Sequence, residues 1–504
     1  MIRYNSINQL SIEEFKTPFQ TKLNPENRWV KLTQLLPWDE MAGIYYKAMS
    51  VDKGAPSIDA RIVIGAMIIK HKQKLDDRDT ITAIQENPYM QYFLGLSNFI
   101  NKEVFDPSLF VAIRKRIGLD KFDQMSQCII NLANGDKPKH SPTKRNNDKT
   151  EDNNTLSEQV EQEKPKKNKG KLKLDATVAD AYIKYPTDLD LLNDSREKGE
   201  ELIDLLSKKL ELKVKRRTYR REARKRILLI AKKKNKSKKE IRRGIRQQLD
   251  YVKRDIKHLH NLLDQFEGET FPLNREQQKY LFVIQHVYQQ QRQMYDKKEH
   301  NCDNRITSIH QPHVRPIVRG KAKTKVEFGA KIGVSLRDGY SRIDTLSWEA
   351  YNESSDLTKQ IEGYKTLYGY YPEVVQVDRI YLNRENRNWL SERNIRYTGK
   401  PLGRPQKTQL TGYQKYKNRK EMAERNHIEG KFGQGKNGYN LNKIRARLQN
   451  TSESWIAAIF FVMNLVRFSK DFLFAFFWTY LKRQFGLLKL LFSHQNYFQL
   501  IFAK

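Results

Sequence analysis

Hydrophobic residues recur at helical spacing through the first 133 positions of the chain. In Ile58–Lys70 the apolar side chains fall three or four residues apart, which is typical of a helix with one buried face. Asn87-Pro88 and similar capping sequences begin further short helices. Residues 1–133 are therefore predicted to be an all-helical domain. Its basic segment Arg114–Arg116 favours a helix-turn-helix-like DNA-binding module, although an ordinary helical bundle fits the same pattern.

An alternating pattern replaces the helical one at residue 171. The apolar side chains of residues 172–178 occupy every second position, which is the period of a β-strand. Lys173, Asp175 and Thr177 therefore share the other face of that strand. Strands disfavour aspartate, so Asp175 favours a functional role over a structural one.

Two later segments extend the predicted sheet. Residues 326–347 alternate on both sides of Asp338-Gly339, a two-residue turn signal, and so predict a hairpin. Residues 373–378 are almost wholly apolar up to Asp378, as expected of a buried central strand. With the helices and the short strand that follow, the order of elements is that of a ribonuclease-H-like α/β (α+β) domain, a mixed sheet flanked by helices.

A long basic segment interrupts this order. Residues 213–254 contain 20 Lys and Arg in 42 positions, interleaved with apolar residues at helical spacing, and residues 196–309 are predicted to be a helical insertion. Like charges at this density repel each other unless a partner neutralises them, which favours a phosphate-binding surface over a solvated face. We expect the insertion to hold DNA backbone or to contribute to dimer assembly.

Composition sets the remaining boundaries. Residues 134–170 are rich in Asn, Asp, Lys, Glu and Pro, with almost no large apolar side chain, and are predicted to be a disordered linker. Residues 451–504 comprise C-terminal helices and an apolar tail. The catalytic core is then expected in residues 171–195 and 310–450.

The net charge of the chain indicates which class of partner it binds. The chain has 504 residues, with 94 Lys and Arg against 59 Asp and Glu, a formal net charge of +35. This excess points to a polyanionic partner, with nucleic acid first and an anionic membrane second. No apolar run reaches the ~18 residues of a membrane span. The N-terminus lacks a signal-peptide pattern and the two cysteines lie in no metal-ligand spacing, so an intracellular, reduced protein without a membrane partner is predicted.

Three acids could form a metal site. The first and fourth strands are neighbours in a ribonuclease-H-like sheet, so Asp175 and Asp378 are expected to converge. Glu429 is the candidate third acid. On a helix it would lie about 40° from Arg425, and Lys436 would lie about 20° from Arg425, which puts all three on one face.

Such a site suits phosphodiester chemistry. Three carboxylates would hold two Mg²⁺ ions about 3.5–4 Å apart for an in-line displacement at phosphorus, and the two basic side chains would neutralise phosphate. The acids could also have purely structural roles, since Asp378 could simply cap a turn and Glu429 could be an exposed partner of Arg425. The rival acids are Asp180, Asp188, Asp344 and Asp356. Asp180 falls past the pattern of the first strand, Asp188 after Pro186 is predicted to be a turn residue, and the pattern cannot exclude Asp344.

At these residues the chain resembles the DDE transposases of bacterial insertion sequences, specifically the IS-five-like group. The resemblance rests on five blocks: Glu86–Leu96, Leu174-Asp175-Ala176-Thr177, Gln311–Ile317 with Glu327–Lys331, Val377–Tyr381 with Leu402–Pro405, and an R-(3)-E-(6)-K signature at Arg425, Glu429 and Lys436. One departure is Met422, where the family's extended signature often has a tyrosine that assists DNA positioning. The tail from about residue 470 lies outside the resemblance.

The resemblance implies an activity and a set of partners. Asp175, Asp378 and Glu429 would be the metal-binding triad, using Mg²⁺ with Mn²⁺ as a substitute, and Arg425 and Lys436 would assist DNA binding. The protein would be a homodimer on double-stranded DNA, cleaving at terminal inverted repeats and joining 3′-hydroxyls to target DNA in the bacterial cytoplasm, at the nucleoid. The alternatives are a non-catalytic repressor derived from a transposase and, less favoured, an RNA-associated basic protein.

Overall fold

The computed structural model gives the chain as an α/β protein with a mixed sheet. The structure describes residues 15–16, 22–47, 49, 57–135, 167–212, 217–268, 270–318, 326–399 and 411–474. Most of the predicted linker (134–170) and of the predicted apolar tail (from 470) lies outside these ranges.

Helices form the described part of the N-terminal region, as the apolar spacing predicts. They are α1 (Arg28–Leu35), α2 (Trp38–Tyr46), α3 (Ala60–Gln73), α4 (Asp77–Glu86), α5 (Pro88–Phe93) and α6 (Leu109–Ala133). Four of them begin at a side chain that accepts a hydrogen bond from the first turn, namely Asn27, Asp59, Asp76 and Asn87. Local sequence therefore decides where these helices start. Gly118, with φ of 64°, bends α6.

A mixed sheet is formed by residues that follow the linker in the sequence. Its strands are β1 (Lys171–Asp180), β2 (Arg315–Val318), β3 (Val326–Arg337), β4 (Tyr340–Ser347), β5 (Val374–Gln376) and β6 (Arg396–Thr398). β3 pairs antiparallel with β1 along one edge and with β2 and β4 along the other. β5 and β6 continue from β1 as parallel strands. The predicted hairpin, with its turn at Asp338-Gly339, and the predicted central strand are confirmed.

The helical insertion connects β1 to β2. Its helices are α7 (Asp188–Lys209), α8 (Arg220–Ala231), α9 (Lys238–Leu263) and α10 (Arg275–Lys297). α7 begins at Asp188, which was predicted to be a turn residue, and runs through the predicted boundary at 195/196. The Thr187 side chain caps this helix, and Arg305 holds Asp188 at 2.7 Å. α7, α9 and α10 share one hydrophobic core.

Asp255 of α9 is a buried acid in this insertion. It is 1% exposed, and neither carboxylate oxygen has a hydrogen-bond partner among the described residues. Burial, reinforced by the charge of Glu200, raises the pKa of Asp255 to about 8. The folded protein therefore holds this proton at pH values where the unfolded chain releases it.

We expect an Asp255→Asn variant to gain stability relative to the natural chain as pH rises. The unfolded carboxyl titrates near pH 4, so the folded state is penalised increasingly between about pH 4 and pH 8. Each unit of pKa difference is worth about 1.4 kcal/mol, which limits the effect to several kcal/mol. Urea unfolding at pH 5 and pH 8 measures it. Asp250→Asn, an exposed change on the same helix, is the control and should show no such pH-dependent gain.

The remaining helices cover the two faces of the sheet. They are α11 (Leu357–Tyr368), α12 (Arg384–Glu392), α13 (Gly412–Gly433) and α14 (449–474). α11 and α12 pack on the face of Leu172 and Leu174. Ile428 of α13 belongs to the core on the opposite face, where the side chain of Asp175 lies. Within the described ranges, no helix is long and apolar enough to cross a membrane.

The N-terminal helices and the sheet share a single hydrophobic core, with α14 between them. Phe122 of α6 packs on Phe461 of α14, with ring centroids 5.8 Å apart. The amide of Asn464 on α14 donates to Ser126 of α6 and to the backbone carbonyl of Ser341 on β4, both at 2.7 Å. The helical region predicted as a separate domain is therefore packed directly on the sheet.

A buried ionic cluster lies at the same junction. Asp77 of α4 accepts hydrogen bonds from both terminal nitrogens of Arg114 at 2.9 Å and lies 2.8 Å from Lys70. The ring of Trp455 on α14 lies 4.4 Å from the Lys70 ammonium and 5.1 Å from the Arg114 guanidinium. Burial lowers the pKa of Lys70 to about 8 despite the nearby carboxylate. The cluster thus joins three N-terminal helices, α3, α4 and α6, to the C-terminal helix.

Candidate active site

β1 positions the first candidate acid. The strand pairs Asp175 with Val334 of β3, and its alternation turns Asp175 toward α13 rather than α11. The Asp175 carboxylate accepts a hydrogen bond from the Ala176 backbone amide at 2.8 Å and is 15% exposed. It therefore remains accessible at the surface of an otherwise buried strand.

β5 positions the second candidate acid. β1 and β5 are parallel neighbours, with Lys173 opposite Gln376. Continued by two residues, this register places Asp378 beside Asp175 on the same face. Asp378 is exposed, and its carboxylate accepts a hydrogen bond from the Arg379 backbone amide at 2.7 Å, capping a short 3-10 turn. The strand neighbourhood and the capping role that the sequence suggests are both present.

α13 carries the third candidate acid and is tied to the sheet. Thr411 and Gln414 form a capping box at its start. Glu421 makes two hydrogen bonds with Arg396 of β6, at 2.7 and 2.8 Å. One turn later, Glu424 lies 2.8 Å from Lys171 of β1. These two contacts set the helix across the strands.

Arg425 then lies between two of the candidate acids. Its Nη2 is 2.8 Å from Oε1 of Glu429, and its Nη1 is 3.7 Å from Oδ2 of Asp175. Arg425 is 22% exposed and Glu429 is 54% exposed, so the glutamate opens to solvent. The structure thus brings Asp175, Arg425 and Glu429 together at one place, and sets Asp378 on the adjacent strand.

Lys436 follows the end of the helix that carries Arg425 and Glu429. The α-helix ends at Gly433, and residues Gln434–Gly438 form a π-helical turn that contains Lys436. Its ammonium lies 3.5 Å from Asp180 at the end of β1 and 3.4 Å from Glu327 at the start of β3. The spacing used for the prediction assumed an uninterrupted α-helix.

Glu327 and Asp180 are the two acids that pair with Lys436, of which the sequence analysis named Asp180 only as a rival acid and did not single out Glu327. Asp180 was thought to lie past the strand, but it is the last residue of β1 and pairs with Gly329. Because β3 runs antiparallel to β1, the start of β3 meets the end of β1, which brings Glu327 to Lys436. The alternation of β3 predicts the position of Glu327 only after β1 is known to be its partner strand.

Two of the rival acids belong elsewhere in the fold. Asp344 lies on β4, where Gln360 of α11 donates to its carboxylate at 3.2 Å, and burial raises its pKa to about 7. Asp356 is buried in the 3-10 turn before α11. Both lie with α11 on the face opposite to α13, and so neither shares the setting of Asp175.

Two family models match the chain. Residues 375–466 match the family described as "Transposase DDE domain", and residues 18–116 match "Transposase domain (DUF772)". Both matches support a DDE transposase of insertion sequences. The first match contains Asp378, Arg425, Glu429 and Lys436, and the second spans most of the N-terminal helices.

The transposase is also similar to an uncharacterised protein of Rhizobium meliloti, ORF8 in the nfe locus. The two are 29% identical over 122 residues, which are 24% of this chain and 57% of the relative. The chain thus spans less than two thirds of the relative's length. No solved structure matches the transposase.

The donor chemistry of the site fits a divalent cation. Carboxylate oxygens are the ligands that Mg²⁺ prefers, and two of the candidate acids already hold one cationic group, Arg425, between them. In this conformation, however, no three His, Cys, Asp or Glu side chains of the described residues are grouped closely enough to hold a metal ion. A metal shell of Asp175, Asp378 and Glu429 would therefore need these three side chains to come closer together than they are in this conformation.

Proposed function

We propose that this protein is a metal-dependent DNA transposase of the IS-five-like group. It would bind the terminal inverted repeats of its insertion sequence through the N-terminal helices, cleave the ends, and join the freed 3′-hydroxyls to target DNA. The catalytic part would be a ribonuclease-H-like domain, and the unit on DNA would be a homodimer in the bacterial cytoplasm. The observation that carries the proposal is the meeting of Asp175, Arg425 and Glu429 where β1 passes under α13.

The three acids have distinct supports. Asp175 is held by a rigid strand, Asp378 follows the parallel neighbour of that strand, and Glu429 projects from α13 toward solvent. Together they would hold two Mg²⁺ ions, or Mn²⁺ in their place. Bound there, the metal would supply Lewis-acid activation of the attacking oxygen and stabilisation of the leaving one.

The two basic residues would bind the substrate. Arg425 presents a planar guanidinium at the site and can exchange its carboxylate partners for a phosphate of the bound strand. Lys436, placed by Asp180 and Glu327, would neutralise phosphate farther along the end of β1. Met422 is 57% exposed on α13, so its face of the helix is also open to DNA.

Metal removal tests the enzymatic part of this proposal. The full-length protein is incubated with labelled DNA that carries the flanking repeats, in Mg²⁺ and in EDTA. We expect cleavage at the repeat ends in Mg²⁺ and its loss in EDTA, since the attacking oxygen depends on the metal. DNA of the same length without the repeats is the control. Binding to the repeats without cleavage in either buffer would refute the transposase activity and favour the repressor.

A further inference from the structure

α8 is an outer layer of the helical insertion. Its residues take no part in the hydrophobic core of α7, α9 and α10, and Ala223 is the one α8 residue that is buried. The helix lies on α9, where Ile230 sits close against Gly244. Leu228 and Leu229 are 43% and 59% exposed. The insertion core is therefore complete without α8, and the outer face of this helix is available to a partner.

Positive charge exceeds negative charge on α8 and on the neighbouring residues up to position 254, which include the first part of α9. Residues 217–254 hold 17 Lys and Arg against three Asp and Glu, and 14 of the 17 are exposed. Ion pairs with acids are made by Arg220, Arg226 and Lys233. The other 12 exposed cations have no ion-pair partner among the residues that the structure describes. Their mutual repulsion destabilises the insertion until a polyanion neutralises it.

We propose that these exposed cations of residues 217–254, the basic surface, bind the phosphate backbone of double-stranded DNA. The choice of DNA among the possible polyanions rests on the proposed function. α8 is 12 residues long, about 18 Å at the rise of an α-helix. Duplex DNA presents one phosphate per about 1.7 Å of its axis, so about ten phosphates lie within the span of this helix. α8 carries five cations over the same span, so a duplex offers more than enough phosphates to neutralise them.

The fold connects the basic surface to the candidate active site. α7 starts 13 residues after Asp175, directly beyond the end of β1. Arg305 and Gln291, near the end of the insertion, both bind Asp188 at that start, at 2.7 and 2.9 Å, so the two ends of the insertion are held together beside β1. A duplex that reaches the candidate acids could continue from this point along the insertion.

A second copy of the chain fits the basic surface poorly. Two copies would bring like charges together, which opposes association. The exposed large hydrophobic side chains within residues 217–254 are Tyr219, Leu228 and Leu229. Three such side chains supply far less area than the roughly 1,200–2,000 Å² of a stable interface. DNA, with opposite charge and no need of an apolar contact, is the favoured occupant.

The salt dependence of DNA binding tests this proposal. A triple variant with Arg221→Gln, Arg224→Gln and Lys225→Gln removes three exposed cations of α8. The matched control, with Lys208→Gln, Lys257→Gln and Lys297→Gln, removes the same charge from exposed sites of the insertion outside the basic surface. Affinity of the full-length proteins for labelled duplex is measured by fluorescence anisotropy across a salt series. Circular dichroism verifies that both variants are folded.

We expect the α8 variant to lower the slope of log affinity against log salt by about 0.9 per lost phosphate contact, or up to about 2.7. The change should be equal on DNA with and without the repeats, and the control should keep the original slope. An unchanged slope, or an equal fall in both variants, would overturn the proposal. So would an unchanged slope combined with loss of dimer mass in light scattering, which would assign the surface to a second copy. Failure of wild-type cleavage would refute the proposed function and leave the slope result standing.

Discussion

Replacing Asp175 by asparagine is expected to lower metal-dependent cleavage at the repeat ends by about 10³-fold or more, without loss of DNA affinity. Asparagine keeps the volume of the side chain and the oxygen that accepts the Ala176 amide hydrogen bond, so β1 should stay intact. The substitution removes the negative charge that faces Arg425 at 3.7 Å and that a metal ion at the proposed site requires.

Single-turnover cleavage of end-labelled DNA measures the rate, and anisotropy measures affinity. Glu385→Gln is the control, because it removes one negative charge from an exposed position in the first turn of α12. That variant should cleave at the wild-type rate. Wild-type cleavage by the Asp175→Asn protein would show that this carboxylate does not act in the reaction, and Asp180 would then be the first acid to test.

Replacing Asp77 by alanine is expected to lower the free energy of unfolding by about 3 kcal/mol. Lys70 is fully buried and Arg114 nearly so, and both lose their shared carboxylate in this variant. Removing one partner of a buried ionic group costs about 3–5 kcal/mol. The lower end applies because Asp77 itself is 28% exposed. Urea unfolding with linear extrapolation measures the change.

Asp79→Ala is the matched control for that experiment. Asp79 lies two residues further along α4, is exposed, and is in the same first turn, so both substitutions lose the same favourable charge at the helix start. That shared loss is worth about 0.3–1 kcal/mol. Equal destabilisation of the two variants would contradict a structural role for the buried cluster.

The strands and two of the candidate acids could be predicted because their signals are local. Alternation identified β1 and the hairpin, and the apolar run before Asp378 identified β5. β1 pairs in parallel with β5, as the element order implied, and Asp378 follows the end of β5 by two residues. The convergence of Asp378 with Asp175 stays a prediction. The assignment of the three acids to metal binding remains a prediction.

The ion-pair partners of Lys436, Asp180 and Glu327, could not be predicted from spacing. The helix angle of about 100° per residue holds for α-helices, but the chain changes to a π-helical turn after Gly433. Three glycines between Gly430 and Gly435 weaken the helix, although sequence alone does not say which alternative winding replaces it. The start of α7 was missed for a related reason, since Thr187 is an N-terminal cap that the nearby Pro186 made resemble a turn.

The neighbours of α14 could not be predicted from the periodicity of its apolar residues. Its residues 451–465 are mostly buried on every side, which predicts a central helix without naming its neighbours. The neighbours are set by contacts across hundreds of positions, such as Asn464 with Ser126. Pattern analysis therefore separated two regions that the folded chain joins.

The hydrophobic core shared by the N-terminal helices and the sheet fixes the distance between these two regions of the protein. If the N-terminal helices hold the repeat sequence, as proposed, the path from the recognised base pairs to Asp175 runs through Phe122, Phe461 and Asn464 rather than through a flexible connection. The cut is then set at a fixed number of base pairs from the recognised sequence. Each base pair added between them would carry the scissile bond about 3.4 Å along the duplex and about 35° around it, out of reach of side chains that packing holds in place.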